Sequence, residues 1–395
     1  MTGTSQQRHW FPVAMLMSAG HFVTDIFPGF LAPVLPLLMI RYDFSITFAG
    51  MLAAVSSLSA SFSQPLFGYL SDKIQRRHFV VLGPLFSALF YSSIGLMPGK
   101  YLLVVCVFIG GMGVAMFHPQ AAKMVHQIGG NHKGRAISVF TTGGSIGYPL
   151  GALMITSLII PFGGLEYAPV LIIPVPILVY FMIKYAPSQK NPDGEIASSK
   201  PKLAFRQISA LSVFVSIGVM RSLVIMAFTL LVPFWYAQQG LPLQQGGYAI
   251  FVFHFFGGIG GLIGGFLSDK YSAKSIIAVS FLFGGLFLVL FTQTSEILSL
   301  LWLGCAGGML YASIPAVITQ AQAAMPVHMG TASSMVMGFS WGVGGVLVSV
   351  VSSLADIYGV YSTMFVLAFF PFLSLGLALL IKPQQSEKTY LPEYL

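Results

Sequence analysis

The polar residues of this chain lie so far apart that its apolar positions merge into long runs instead of alternating stripes. Runs of about 20 residues match a hydrocarbon core about 30 Å thick. They fall at roughly 11–38, 45–70, 79–97, 102–125, 136–160 and 168–186. A second set follows at roughly 210–235, 246–268, 276–293, 297–324, 331–354 and 360–381. In lipid every backbone amide must be satisfied internally, so spanning segments are helices or closed barrels. Continuous runs of this length are helices, because barrel strands alternate over about ten residues. The pattern predicts an all-α membrane protein of twelve transmembrane helices. The one sizeable polar stretch, 187–209, opens with Pro187-Ser188-Gln189-Lys190-Asn191-Pro192 and reads as a flexible cytoplasmic linker. It separates a six-helix half at 1–186 from another at 210–395.

Composition agrees with this picture. Of 395 residues 56% are hydrophobic and 8% charged, against about 25% charged in soluble domains. The formal net charge of +8 is explained by topology and calls for no nucleic acid. With the amino terminus inside, only Arg41 and Lys100 fall in outside loops, Lys123 and Lys184 at the inner ends of their runs count with the inside segments, and Arg221 alone lies deep within a span. The positive-inside rule then places both termini in the cytoplasm, with the chain in the cytoplasmic (inner) membrane. The polar segment Met1 to His9 is short and lacks a cleavable signal pattern, so the first run is expected to be retained. Cys106 and Cys305 sit in apolar runs and read as packing residues. No polar segment is long enough for a soluble catalytic module, and the chain is not expected to be an enzyme.

The halves also resemble each other. Gly68-Tyr69-Leu70-Ser71-Asp72-Lys73 recurs 197 residues on as Gly265-Phe266-Leu267-Ser268-Asp269-Lys270. Pro119, His132, Gly134, Ala136 and Ser138 recur 196 residues on as Pro315, His328, Gly330, Ala332 and Ser334. Parallel six-helix repeats are a transporter architecture with a substrate site near the bilayer midplane.

The segment Gly68 to Arg77, with Asp72, Lys73, Arg76 and Arg77, resembles the loop signature of the major facilitator superfamily. A narrower resemblance is to its fosmidomycin-resistance group of efflux proteins. It rests on Gly20-His21-Phe22-Val23-Thr24-Asp25, Gln64-Pro65-Leu66-Phe67-Gly68, Phe117-His118-Pro119, and the run from Gly143 to Gly151. The chain departs from that pattern at Gln120, where the group is expected to carry glutamate. The resemblance implies a gate in which Asp72 and its basic neighbours latch the halves and release them each cycle, with Asp269 and Lys270 as the second copy. A basic loop that only enforces topology is the plainer account. The resemblance also implies that Gly143, Gly147, Pro149 and Gly151 act as an antiporter signature sealing one half against proton leak. Simple packing is the alternative, and it also suits Gly257, Gly261 and Gly265.

The embedded polar residues carry the chemistry. His21 and Asp25 share a helix face, being four residues apart. A carboxylate at bilayer depth costs about 2.5–3.5 kcal/mol on insertion scales, which marks it as functional. Arg221 lies 196 residues after Asp25 and is expected to mirror it across the cavity. The pair is either a static salt bridge or a working one, with Arg221 taking an anionic group and Asp25 a proton. His21 and His118 are either hydrogen-bonding histidines or proton relays. His254, Gln120 and Gln320 add polarity to the path, although a core role suits His254 equally. The spans give no ligand spacing for a metal, so none is expected.

Together these features predict a proton-coupled secondary transporter. The favoured form is an efflux antiporter for a small amphipathic or anionic, antibiotic-like compound. A proton symporter or uniporter for nutrient or siderophore uptake is the alternative, and a transporter-like receptor is the alternative of another class. The energy source is the proton gradient, without a cofactor. Its partners are the small substrate, protons and lipid, and a monomer suffices.

Overall fold

The computed structural model describes residues 10–74, 77–129, 133–187, 205–268, 270–325 and 329–379. Among them are twelve helices long and apolar enough to span a membrane. The first half comprises α1 (Trp10–Tyr42), α2 (Ile46–Leu70), α3 (His78–Leu96), α4 (Lys100–Gly129), α5 (Arg135–Gly163) and α6 (Leu165–Tyr185). The second comprises α7 (Gln207–Gln238), α8 (Leu243–Ser268), α9 (Ala273–Gln293), α10 (Ile297–Ala324), α11 (Ala332–Tyr358) and α12 (Val360–Leu379). Each lies within several residues of its expected run. Phe162, Ile177, Leu262 and Leu301 are among the apolar side chains left exposed, as suits surfaces solvated by lipid tails.

The repeat is visible in the backbone. Asp43, at φ 48°, ends α1, and Gly240, at φ 73°, follows α7 at an offset of 197. Gly164 (φ 102°) follows α5, and Gly359 (φ 86°) follows α11 at an offset of 195. Pro36 and Pro233, 197 apart, both sit inside helices, as do Pro119 and Pro315. A proline there removes one ladder bond and bends the helix, so matched prolines bend the halves alike.

Within the first half α1 packs on α5 and α3 on α4; within the second α7 packs on α11 and α9 on α10. Gly143, Gly147 and Gly151 face the backbone carbonyls of Ser18, Phe22 and Ile26, where a Cβ would overlap α1. That row packs two helices at backbone distance, as small residues do in lipid. In α8 the tight positions are Gly260 and Gly264, against Gly308 and Ala312 of α10. The row at Gly257, Gly261 and Gly265 is looser: the last two make only ordinary 3.8 Å contacts. The close-packed face of α8 keeps the four-residue spacing and lies one residue earlier than that row.

The halves meet along α2–α11 and α5–α8, with the outer part of α1 against α7. Most of these contacts lie toward the face away from the termini. There Asp356 of α11 accepts hydrogen bonds from Ile46 N (3.1 Å), Thr47 N (2.7 Å) and Thr47 Oγ1 (2.5 Å) of α2. One half thus caps a helix amino terminus of the other, where a carboxylate also meets the favourable end of the helix dipole. The segment Gln64–Ile74, which includes the end of α2, packs on α4 of its own half. Asp356→Asn removes a charge–dipole term of about 0.3–1 kcal/mol at an exposed site. Labelling of Ser353→Cys by an impermeant thiol reagent is therefore expected to quicken about two- to fivefold. An unchanged rate would remove Asp356 from the closure.

Candidate functional site

Between the halves lies a cavity of ≈ 530 Å³ lined from both sides. Among the described residues Asp25 is the one carboxylate on its wall, and no lysine or arginine lines it. Three ionisable groups of the first half converge there. His21 and Asp25 come from adjacent turns of α1, at 3.2 Å between Nε2 and Oδ2. His118 arrives from α4, 97 residues away, with its Nε2 2.9 Å from His21 Nε2 and 3.4 Å from Asp25 Oδ1. Gly20 permits this meeting, because a Cβ there would press on the Phe117 ring at 2.9 Å.

The hydrogen bonds fix the tautomers. His21 Nδ1 lies 2.9 Å from Phe140 O, and His118 Nδ1 lies 2.8 Å from Val114 O. A carbonyl only accepts, so both Nδ1 atoms carry their hydrogens. The two Nε2 atoms then face each other at 2.9 Å beside a carboxylate. Lone pairs do not sit at that distance unshared, so a proton or another cation belongs among the three groups. The His21 ring is held by stacking on Phe140, with centroids 4.4 Å apart. These atoms, all within 4.8 Å of one another, are also a set able to hold a metal ion. The set is assembled from two spans, so the spacing within either one does not show it.

The second half faces the triad with a different arrangement. Thr229 Oγ1 donates to Ile225 O at 2.7 Å, so it accepts from His254 Nε2 at 2.8 Å. With Nε2 carrying hydrogen, neutral His254 accepts at Nδ1 from the Tyr311 hydroxyl, 2.8 Å away. His254 lines the cavity as a satisfied histidine, and its effect is to aim Tyr311. Tyr91, Tyr148 and Trp341 complete an aromatic wall that sequence spacing did not single out.

Three expected pathway residues lie elsewhere. Arg221 is 1% exposed, does not line the cavity and forms no ion pair with Asp25 among the described residues. Its Nε and Nη1 have no hydrogen-bond partner among the described residues. The error is one of register. The first helices of the halves correspond at an offset of 197, as Pro36 and Pro233 do, which pairs Asp25 with Ser222. One residue is about 100° of helix rotation, enough to turn Arg221 off the face presented by Met226, Thr229 and Leu230. Gln120 is fully buried, and its Oε1 accepts from Val80 N at 2.8 Å, tying α4 to the start of α3. Gln320 is half-buried and does not line the cavity.

Of the helix 5 signature, Pro149 lines the cavity, while Gly143, Gly147 and Gly151 face α1. Gly144, next to them, touches the triad itself: a Cβ there would overlap His21 and lie 2.7 Å from Asp25 Oδ2. Of the loop residues, Gly68 leaves room for a Cβ, which would meet Pro119 at ordinary contact distance, and Lys270 stands in an exposed turn. Arg77 donates to Ala186 O at 2.6 Å, a contact within its own half. The side chains of Asp72, Lys73, Arg76 and Asp269 lie outside the described residues.

Two six-helix repeats around a central cavity, with paired seams between them, are the architecture of a membrane transporter. The Major Facilitator Superfamily model matches residues 17–349, and the chain belongs to that family. It is 26% identical over 385 residues to the uncharacterized MFS-type transporter YfnC of Bacillus subtilis (strain 168), covering 95% of this chain and 94% of that protein. It is 25% identical over 399 residues to the fosmidomycin resistance protein of Escherichia coli (strain K12), covering 98% and 96%. The bacterial homologue of the human lysosomal transporter Spinster, inward-facing and occupied, superposes with a TM-score of 0.79 at 14% identity, over 96% of this chain and 97% of that one.

Proposed function

We propose that this transporter is a proton-coupled antiporter that exports a small amphipathic, antibiotic-like compound across the cytoplasmic membrane. The observation that carries the proposal is the cation-demanding triad of Asp25, His21 and His118 on the wall of the central cavity. A proton among these groups ties them together, and its release leaves their lone pairs facing one another. Substrate entering the cavity competes with that cation for the same wall. Rocking of the halves then exposes cavity and triad to alternate sides. The aromatic wall and the absence of basic lining side chains among the described residues suit an amphipathic body, and the E. coli relative is a fosmidomycin resistance protein. An anionic substrate held by Arg221 is withdrawn, because Arg221 is off the cavity.

In this scheme the termini are cytoplasmic, a monomer suffices, and the loop around Asp72 with its repeat at Asp269 latches the open side. Close packing of α5 on α1 seals that half against proton leak along the helix seam. The test uses proteoliposomes carrying a pH-sensitive dye, with fosmidomycin and a panel of amphipathic antibiotics as probes. Substrate addition is expected to move protons in the opposite direction. Translocation of a probe without proton movement would refute coupling.

A further inference from the structure

The triad has the geometry of a transition-metal site as well as that of a proton site. Ligand atoms on one face of a tetrahedral zinc ion lie about 3.3 Å apart, given bonds of about 2.0–2.1 Å. Here the two Nε2 atoms lie 2.9 Å apart, Asp25 Oδ2 lies 3.2 Å from that of His21, and Asp25 Oδ1 lies 3.4 Å from that of His118. One ligand atom from each residue lies within 4.8 Å of the others. Distance alone would be weak evidence, but the ring orientations add to it. Each histidine gives its Nδ1 hydrogen to a backbone carbonyl, Phe140 O or Val114 O. That is the usual outer support of a ligating histidine, and it leaves both Nε2 lone pairs aimed inward. Asp25 supplies a carboxylate with one oxygen toward each ring, and its Oδ1 has no hydrogen-bond partner among the described residues. On the α5 side, Gly144 keeps free the space that a Cβ would take.

We infer that His21, Asp25 and His118 bind one divalent d-block metal ion of the Zn2+ type. Two imidazoles and one carboxylate are borderline donors that suit such ions over Ca2+ or Mg2+. The carboxylate offsets one of the two positive charges, and no lysine or arginine among the described residues lines the cavity to repel the ion further. Three protein ligands leave a fourth position open, as in sites that bind a small molecule through the metal. Because all three groups line the cavity, that position is available to water or to a donor atom of a cavity-bound compound. Metal and proton use the same lone pairs, so they exclude each other. The inference goes beyond proton coupling and does not depend on it.

Full-length protein in detergent, stripped with EDTA and then dialysed, is titrated with Zn2+ by calorimetry and with Co2+ by visible absorption. The expected result is one ion per chain, with cobalt d–d bands that Zn2+ abolishes. His118→Ala and His21→Ala are expected to weaken Zn2+ binding at least about tenfold. His126→Ala, an exposed histidine at the end of α4, is expected to leave it unchanged. Absence of a one-to-one event in the wild type would overturn the site, as would equal binding by folded triad variants. The cobalt spectrum of the wild type decides even where a variant fails to fold. Proton movement measured in EDTA tests coupling separately, so either idea can fail without the other.

Discussion

Asp25→Asn is expected to abolish proton-driven exchange while the protein still inserts and folds. The carboxylate is the one negative charge beside the two Nε2 atoms, and its side chain is 19% exposed. Removing one member of such a largely buried pair costs about 3–5 kcal/mol. At about 1.36 kcal/mol per decade, that is a hundredfold or greater loss of cation occupancy. Asparagine keeps the shape and one acceptor oxygen, so the packing of α1 on α4 and α5 should survive. The measurement is counterflow driven by an imposed pH gradient in proteoliposomes, alongside equilibrium exchange without a gradient. Loss of the first with retention of the second assigns Asp25 to coupling. Wild-type driven flux in the variant would transfer that role to the histidines.

The twelve spans could be read from the sequence because lipid imposes a length and forbids unsatisfied backbone, and both constraints act locally. The internal repeat was readable for a similar reason: turns, loops and prolines recur in order. The pairing of His21 with Asp25 needed only helix periodicity. What sequence could not supply was the packing between helices. His118 joins the triad through the contact of α1 with α4, and nothing in its own span marks the rotation that brings its Nε2 inward. The Arg221 error shows how little slack exists. The repeat offset is 197 around α1 and α7 but 196 for the loop residues from His132 on, and one residue decides whether Asp25 is matched with Arg221 or with Ser222. Gln120 looked like a departure in the pathway, yet its amide accepts from Val80 N at the start of α3. Asp356 carried a weaker signal, a carboxylate at a span end just before Gly359, and its meaning appears only when α2 of the other half is in place.

Gly144→Ala is the second change expected to have a large effect, because it alters the triad without altering any charge. Alanine is favoured over glycine inside a helix by about 0.8–1.0 kcal/mol, so α5 itself gains. The added Cβ would overlap His21 and stand 2.7 Å from Asp25 Oδ2. The neighbours that must give way are side chains, so the structure can yield by turning the His21 ring off Phe140. That movement separates the Nε2 atoms and opens the cation site. Gly151→Ala gives the contrasting case, since its Cβ meets the backbone carbonyl of Ile26, which a rotamer change cannot relieve. Overpacking of that kind costs about 1–3 kcal/mol, so this variant should lower the melting temperature in detergent. Gly144→Ala should instead melt near the wild type while driven transport is lost. If Gly144→Ala transported normally, the close approach of α5 to the triad would have no functional weight; if both variants merely melted early, α5 would be a packing helix alone.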